Sequence, residues 1–138
     1  MEASMPMITV RTVTPTPRPD LPARIASLVT RLGADILKKD PKVTAVLVEQ
    51  ADPANWFIAG EQPALAGLSA FWIDIKVTAG TNTKAETTAF VAAAFAEMAA
   101  LLGPVHPESY VLVHAADGDA YGYGGKTQNE RWMAARAG

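Results

Sequence analysis

Met7-Ile8-Thr9-Val10-Arg11-Thr12-Val13 alternates its side chains, with Ile8 and Val10 on one face and Thr9 and Arg11 on the other. A period of two residues is the signature of a half-buried strand. The same phase returns 65 residues later, in Phe71-Trp72-Ile73-Asp74-Ile75-Lys76-Val77, where Ile73 falls on Ile8, Ile75 on Val10 and Lys76 on Arg11. The correspondence runs without a gap from positions 8–60 onto positions 73–125. Val111 falls on Val46, Val113 on Val48, Asp117 on Asp52, Tyr121 on Trp56 and Gly125 on Gly60. Hydrophobic phase held over so long a stretch reads as a duplication.

Each copy reads as strand, helix, strand. In the first, Pro15, Pro17 and Pro19 end the strand, since proline donates nothing to a ladder. Asp20 is expected to cap a helix whose Leu21, Ile25, Leu28, Val29, Leu32 and Ile36 share one face. Lys38 and Lys39 stand at its carboxyl end, where the helix dipole favours cations. A second strand is expected over Val43 to Glu49, then a turn-rich segment to Gly60.

In the second copy, the strand over Phe71 to Val77 leads to a capping box, Thr83-Lys84-Ala85-Glu86. The helix carries Phe90, Phe95, Met98, Leu101 and Leu102, and Gly103-Pro104 stops it. Ser109 to His114 is the fourth strand; Tyr121 to Gly125 reads as a turn at a subunit contact, and Thr127 with Glu130 as the cap of a short helix.

A strand–helix–strand unit returns its second strand parallel to the first. The expectation is therefore one α/β domain (α+β in some schemes), a duplicated β-α-β fold with repeats at about 6–60 and 71–125 and a short tail. Its four-stranded sheet carries both helices on one face. The other face would be bare, and is expected to be buried against further subunits.

Composition narrows the chemistry. Of 138 residues, 49% are hydrophobic and 19% charged, which suits one packed core and excludes a wholly disordered chain. A net charge of −2 gives no electrostatic footprint for nucleic acid. The absence of cysteine removes disulfides, zinc thiolates and thiol catalysis, and two histidines are too few to propose a metal site. The apolar run Phe90 to Leu102 is shorter than the roughly 20 residues of a bilayer span, so no membrane partner is expected. Met1 to Pro6 has neither a basic nor an apolar leader region, so a cytoplasmic location is expected.

The opening Met5-Pro6-Met7-Ile8-Thr9-Val10 at the head of a duplicated β-α-β chain resembles the tautomerase superfamily, in its 4-oxalocrotonate tautomerase-like and macrophage migration inhibitory factor-like branches. Glu49 through Trp56 to Gly60, and Ser109-Tyr110-Val111 running to Gly124-Gly125, resemble the glycine-rich ends of the family's strand regions. The resemblance implies a homotrimer that acts on a small enol or keto acid without a cofactor, using an amino-terminal proline as general acid–base. The chemistry explains the terminal position. A free prolyl nitrogen is a secondary amine with a pKa near 7.7–8.0, tunable by burial and nearby cations, whereas an internal prolyl nitrogen is an amide with no usable basicity.

Pro6 follows Met1-Glu2-Ala3-Ser4-Met5, and two readings stand side by side. Either Pro6 becomes the first residue and is a base, or the extension is retained and Pro6 only begins a strand.

The resemblance also implies pocket residues: Lys39 for a substrate carboxylate, Phe71 and the neighbouring subunit's Tyr110 as pocket walls, and Trp56 and Tyr121 as aromatics near the site. For each, ordinary packing or an exposed helix end is the alternative. Arg11 and Lys76 are repeat-related cations, equally readable as solvated strand charges. The family's carboxylate-binding arginines are replaced by Thr44 and Ser109, and by Thr81-Asn82-Thr83-Lys84 before the second helix, which weighs against a dicarboxylate substrate. A non-catalytic trimeric binding or structural protein, or a lyase or hydratase of the same fold, are the alternatives. His114 lacks a triad partner, Asp117-Gly118-Asp119 is too short for a calcium loop, and Gly122 to Gly125 lacks the lysine of a nucleotide loop.

Overall fold

A computed structural model describes residues 6–137. Two units follow one another: β1 (Met7–Val13), α1 (Leu21–Leu37) and β2 (Ala45–Gln50), then β3 (Ala70–Thr78), α2 (Lys84–Leu102) and β4 (Tyr110–Ala116). A small hairpin of β5 (Gly122–Tyr123) and β6 (Lys126–Thr127) leads into α3 (Gln128–Ala137). The 65-residue offset recurs in the element ends: Val13 and Thr78, Leu37 and Leu102, Ala45 and Tyr110.

β1 and β2 run parallel, as do β3 and β4, and β1 pairs antiparallel with β3, giving the order β2-β1-β3-β4. Thr9 lies opposite Asp74, its own repeat mate, so the local two-fold axis relating the units passes through that pair. One sheet face carries Ile8, Val10, Ile73 and Ile75, all fully buried beneath Leu21, Ile25 and Val29 of α1 and Phe90, Ala94 and Met98 of α2. Each such side chain contributes roughly 1.5–3 kcal/mol of burial. The opposite face is largely open, with Leu47, Leu112 and Tyr110 at 48%, 40% and 53% exposure.

Local chemistry explains where the elements depart from expectation. Asp20 does not cap α1: its backbone is helical, and its carboxylate instead takes Arg18 at 3.1 Å and Arg24 at 3.2 Å. Pro22, at the second helical position, removes one of the two amides that a capping side chain could accept. β2 begins at Ala45 rather than Val43, because Asp40 accepts the Lys42 amide at 2.9 Å and starts a 3-10 turn over Pro41–Val43. Ser109 stands just before β4, its hydroxyl accepting the Phe71 amide at 3.2 Å and donating to the His106 carbonyl at 2.8 Å. The capping box of α2 is present in full, Thr83 and Glu86 each accepting the other's amide. Thr127 and Glu130 do the same at α3.

Helix α2 corrects the membrane reading from length. With the residues before Phe90 included, its 19 residues are long and apolar enough to cross a bilayer by length and composition. Phe90, Ala94, Met98 and Leu102 instead form a stripe buried in the core.

The two units end in matching hairpin turns. Ile58 and Glu61 exchange backbone hydrogen bonds around Ala59-Gly60, and Tyr123 pairs with Lys126 around Gly124-Gly125. All four turn residues have positive φ: 54° and 79° in the first turn, 61° and 80° in the second. A two-residue turn of this kind matches strand twist only in that region, which suits glycine and strains Ala59.

Candidate functional site

Pro6 immediately precedes β1, a central strand, and is buried. Its carbonyl accepts the Ala45 amide at 3.2 Å, which joins it to the start of β2. Because α1 runs back along the sheet, its carboxyl end returns to the side where β1 begins. Lys38 takes a left-handed conformation there (φ 60°), its amide closing the helix and its ammonium donating to the Asp35 carbonyl. That bend sends the next residue inward, and Lys39 is only 4% exposed.

The Lys39 Nζ donates to Thr81 Oγ1 at 3.0 Å, and Thr81 Oγ1 donates to the Thr78 carbonyl at the end of β3. Since Met7 pairs with Lys76, the end of β3 lies at the sheet edge from which β1 starts. Burial lowers the Lys39 pKa to about 8, partly opposed by Glu86. Lys39 is thus a largely desolvated amine whose surroundings favour the neutral form more than water does.

Tyr121 belongs to the same end. Its hydroxyl donates to the Lys76 carbonyl at 3.2 Å, and the phenol lies against the Met7 backbone and the Gln128 side chain. Burial raises the Tyr121 pKa, and those two contacts act the other way. Lys76 lies on the adjacent strand with its Nζ 2.9 Å from Asp74, an ion pair on the open face.

The remaining candidates sit elsewhere. Trp56 and Tyr110 line an open groove of about 640 Å³ with Phe57, Trp72, His106 and Glu108. Tyr110 donates to Glu108 at 2.6 Å, which raises its pKa, and its ring meets Trp72 at 5.6 Å. Phe71 lies in the core, fully buried and 5.5 Å from the ring of Phe95. Arg11 pairs across the sheet with Trp72 and forms an ion pair with Glu49 at 2.9 Å. Arg11 is five steps along the strand from Pro6, about 16 Å at ~3.3 Å per residue.

The structure thus brings Pro6, Lys39, Lys76 and Tyr121 to one end of the sheet, and Trp56, Phe71, Tyr110 and Arg11 to the other. Two partners of the first group, Thr81 of Lys39 and Gln128 of Tyr121, escaped the sequence. Thr81 was visible only as the residue standing where an arginine was sought, and Gln128 carries no periodic signal. The extension Met1 to Met5 lies outside the described residues. Among the described residues, no group of three or more His, Cys, Asp or Glu is placed to hold a metal ion.

Several solved structures share this architecture. One is the R7 fused 4-OT wild type asymmetric trimer, 21% identical with a TM-score of 0.75 over 90% of this chain and 98% of that one. The macrophage migration inhibitory factor from Trichinella spiralis is 20% identical, with a TM-score of 0.69 over 88% and 98% of the two chains. N1, a member of the cis-3-chloroacrylic acid dehalogenase family, is 19% identical, with a TM-score of 0.69 over 91% and 90%. No protein-family model and no curated protein matches the sequence. At these identities the likeness is one of fold, and this chain has the duplicated β-α-β fold of the tautomerase superfamily.

Proposed function

We propose that the chain is a cofactor-independent tautomerase of small enol or keto acids, working as a homotrimer with the Pro6 amine as general acid–base. The observation that carries this reading is the place of Pro6, buried at the head of β1 on the sheet end that also holds the buried Lys39. With a pKa of about 8, Lys39 is mostly cationic near neutrality. A cation at that end disfavours a second positive charge, which keeps the Pro6 amine unprotonated and basic. It also attracts the carboxylate of an α-keto acid. The amine then takes a proton from the carbon next to the ketone, negative charge gathers on the enolate oxygen, and the proton returns to that oxygen; the reverse order makes the ketone.

A trimer is supported by the open sheet face and by the assembly of the fused 4-OT neighbour. Within one chain the aromatic groove of Trp56 and Tyr110 lies too far from Pro6 to share a small substrate. A second copy is the means of bringing such a groove to the amine.

The amine mechanism requires Pro6 to be the first residue of the mature chain. Intact-mass measurement of natively expressed protein tests this directly, and retention of Met1 or Glu2 overturns it. For protein beginning at Pro6, turnover of phenylpyruvate is expected to fall at least about 100-fold in Pro6→Ala, the usual scale of lost acid–base catalysis. Undiminished turnover in that variant would end the proposal. A stable monomer in sedimentation would remove the trimer.

A further inference from the structure

Proline has one soft backbone torsion. Its ring fixes φ, and the planar peptide leaves only ψ to decide where the nitrogen lone pair points relative to the following strand. For Pro6 that torsion is set by the peptide joining it to Met7. One side of this peptide is held by the Ala45 amide, which donates to the Pro6 carbonyl at 3.2 Å. On the other side stands the Tyr121 phenol, close to the Met7 backbone and donating at 3.2 Å to the carbonyl of Lys76, the ladder partner of Met7. A phenol both accepts and donates, so it can join a strand amide to a carbonyl across the ladder; the indole of its repeat mate Trp56 only donates.

Tyr121 is in turn held from the carboxyl-terminal side. Gln128, the first residue of α3, is 5% exposed; its backbone amide donates to the Tyr121 carbonyl at 2.8 Å, and its side chain meets the phenol. The capping box of Thr127 and Glu130 fixes the start of α3, and with it the placement of Gln128. Hydrogen bonds thus join α3 to Tyr121 and Tyr121 to the Lys76 carbonyl, whose residue is the ladder partner of Met7, so the phenol stands beside the peptide that orients Pro6.

We propose that Tyr121, held by Gln128, is a positioning residue for Pro6: it fixes the Pro6–Met7 peptide, and so the direction of the amine lone pair, without touching substrate. This rests on the reading of Pro6 as the catalytic base. It also assigns the hairpin and α3 a part in the reaction, as the outer support of the amine.

The test uses full protein with Pro6 at its amino terminus, and the variants Tyr121→Phe and Gln128→Met. Phenylpyruvate turnover is followed against pH, and the Pro6 amine is titrated independently by its ¹⁵N shift. Tyr121→Phe is expected to lower kcat about tenfold with KM within about twofold, and to move the amine's titration and the basic limb of the rate profile together. Gln128→Met is expected to act in the same direction more weakly, and the double variant to lose less than the two separately. If Tyr121→Phe does not fold, the Gln128→Met titration alone decides. Rates and amine titrations unchanged per folded molecule, or a raised KM with unchanged kcat, would overturn the assignment, the latter making Tyr121 a substrate contact. An inactive parent protein would instead remove the Pro6 reading itself, and this proposal with it.

Discussion

The two ends of the sheet are built from equivalent positions of one repeat, yet they are chemically opposite. Pro6 in the first unit corresponds to Phe71 in the second, and Lys39 to Pro104. At one end a prolyl residue heads a central strand near a buried lysine held by Thr81. At the other, Phe71 fills the core against Phe95, its amide satisfied by Ser109, and Pro104 only lends its carbonyl to Ser69. Duplication supplies two equivalent positions, but an amine base of the kind proposed could stand only at the first, where a chain can begin. The second position is thereby free to become packing, and it has done so.

The sharpest way to break this contrast is at Phe71. Truncation to Ala is expected to cost about 3–5 kcal/mol in urea unfolding, because it empties a fully buried aromatic site. A cost below about 1 kcal/mol would mean that this end is as adaptable as a ligand pocket.

Next comes Lys39, where the sign follows from its lowered pKa. Between pH of about 8 and 10.5 the unfolded chain holds the lysine proton and the folded chain does not, so stability should rise with pH across that window. Below pH of about 8 both states are protonated, and the destabilisation is present in full. Lys39→Met is expected to flatten this rise, as read by thermal unfolding at several pH values. The same variant should raise KM for a keto acid roughly tenfold, whereas substitution of Lys76, already paired with Asp74, should change KM little.

The smallest effects compare the two hairpin turns. Gly124→Ala puts a β-carbon into the left-handed region and should destabilise by about 1–2 kcal/mol. Ala59→Gly, the reverse change at the matching position, is expected to stabilise by up to about 1 kcal/mol. Equal and opposite shifts would mean that the turns are energetically as well as geometrically related.

Much of the fold is legible from local pattern. The alternation in Met7–Val13, the one-face spacing in α1 and the Thr83–Glu86 box each act within a few residues, and the structure contains each of those elements. The expected Asp20 cap does not form, because Arg18 and Arg24 take its carboxylate and Pro22 removes one of the two amides a cap could accept. The candidate site was legible as a set of residues but not as a place. Nothing in the spacing of Arg11, Phe71, Tyr110 and Lys39 separates them into two ends, because that division depends on strand register.

By itself the sequence determined the elements, the 65-residue repeat and the position of a proline at the head of the first strand, since these follow from propensity and periodicity. Only the tertiary structure decided that the two units meet through β1 and β3 about Thr9 and Asp74, that Lys39 turns inward, and that Tyr121, backed by Gln128, stands on the carbonyl of Lys76 opposite Met7. Those are contacts between segments far apart in the chain, set by sheet register and the return path of each helix rather than by any residue's own preference.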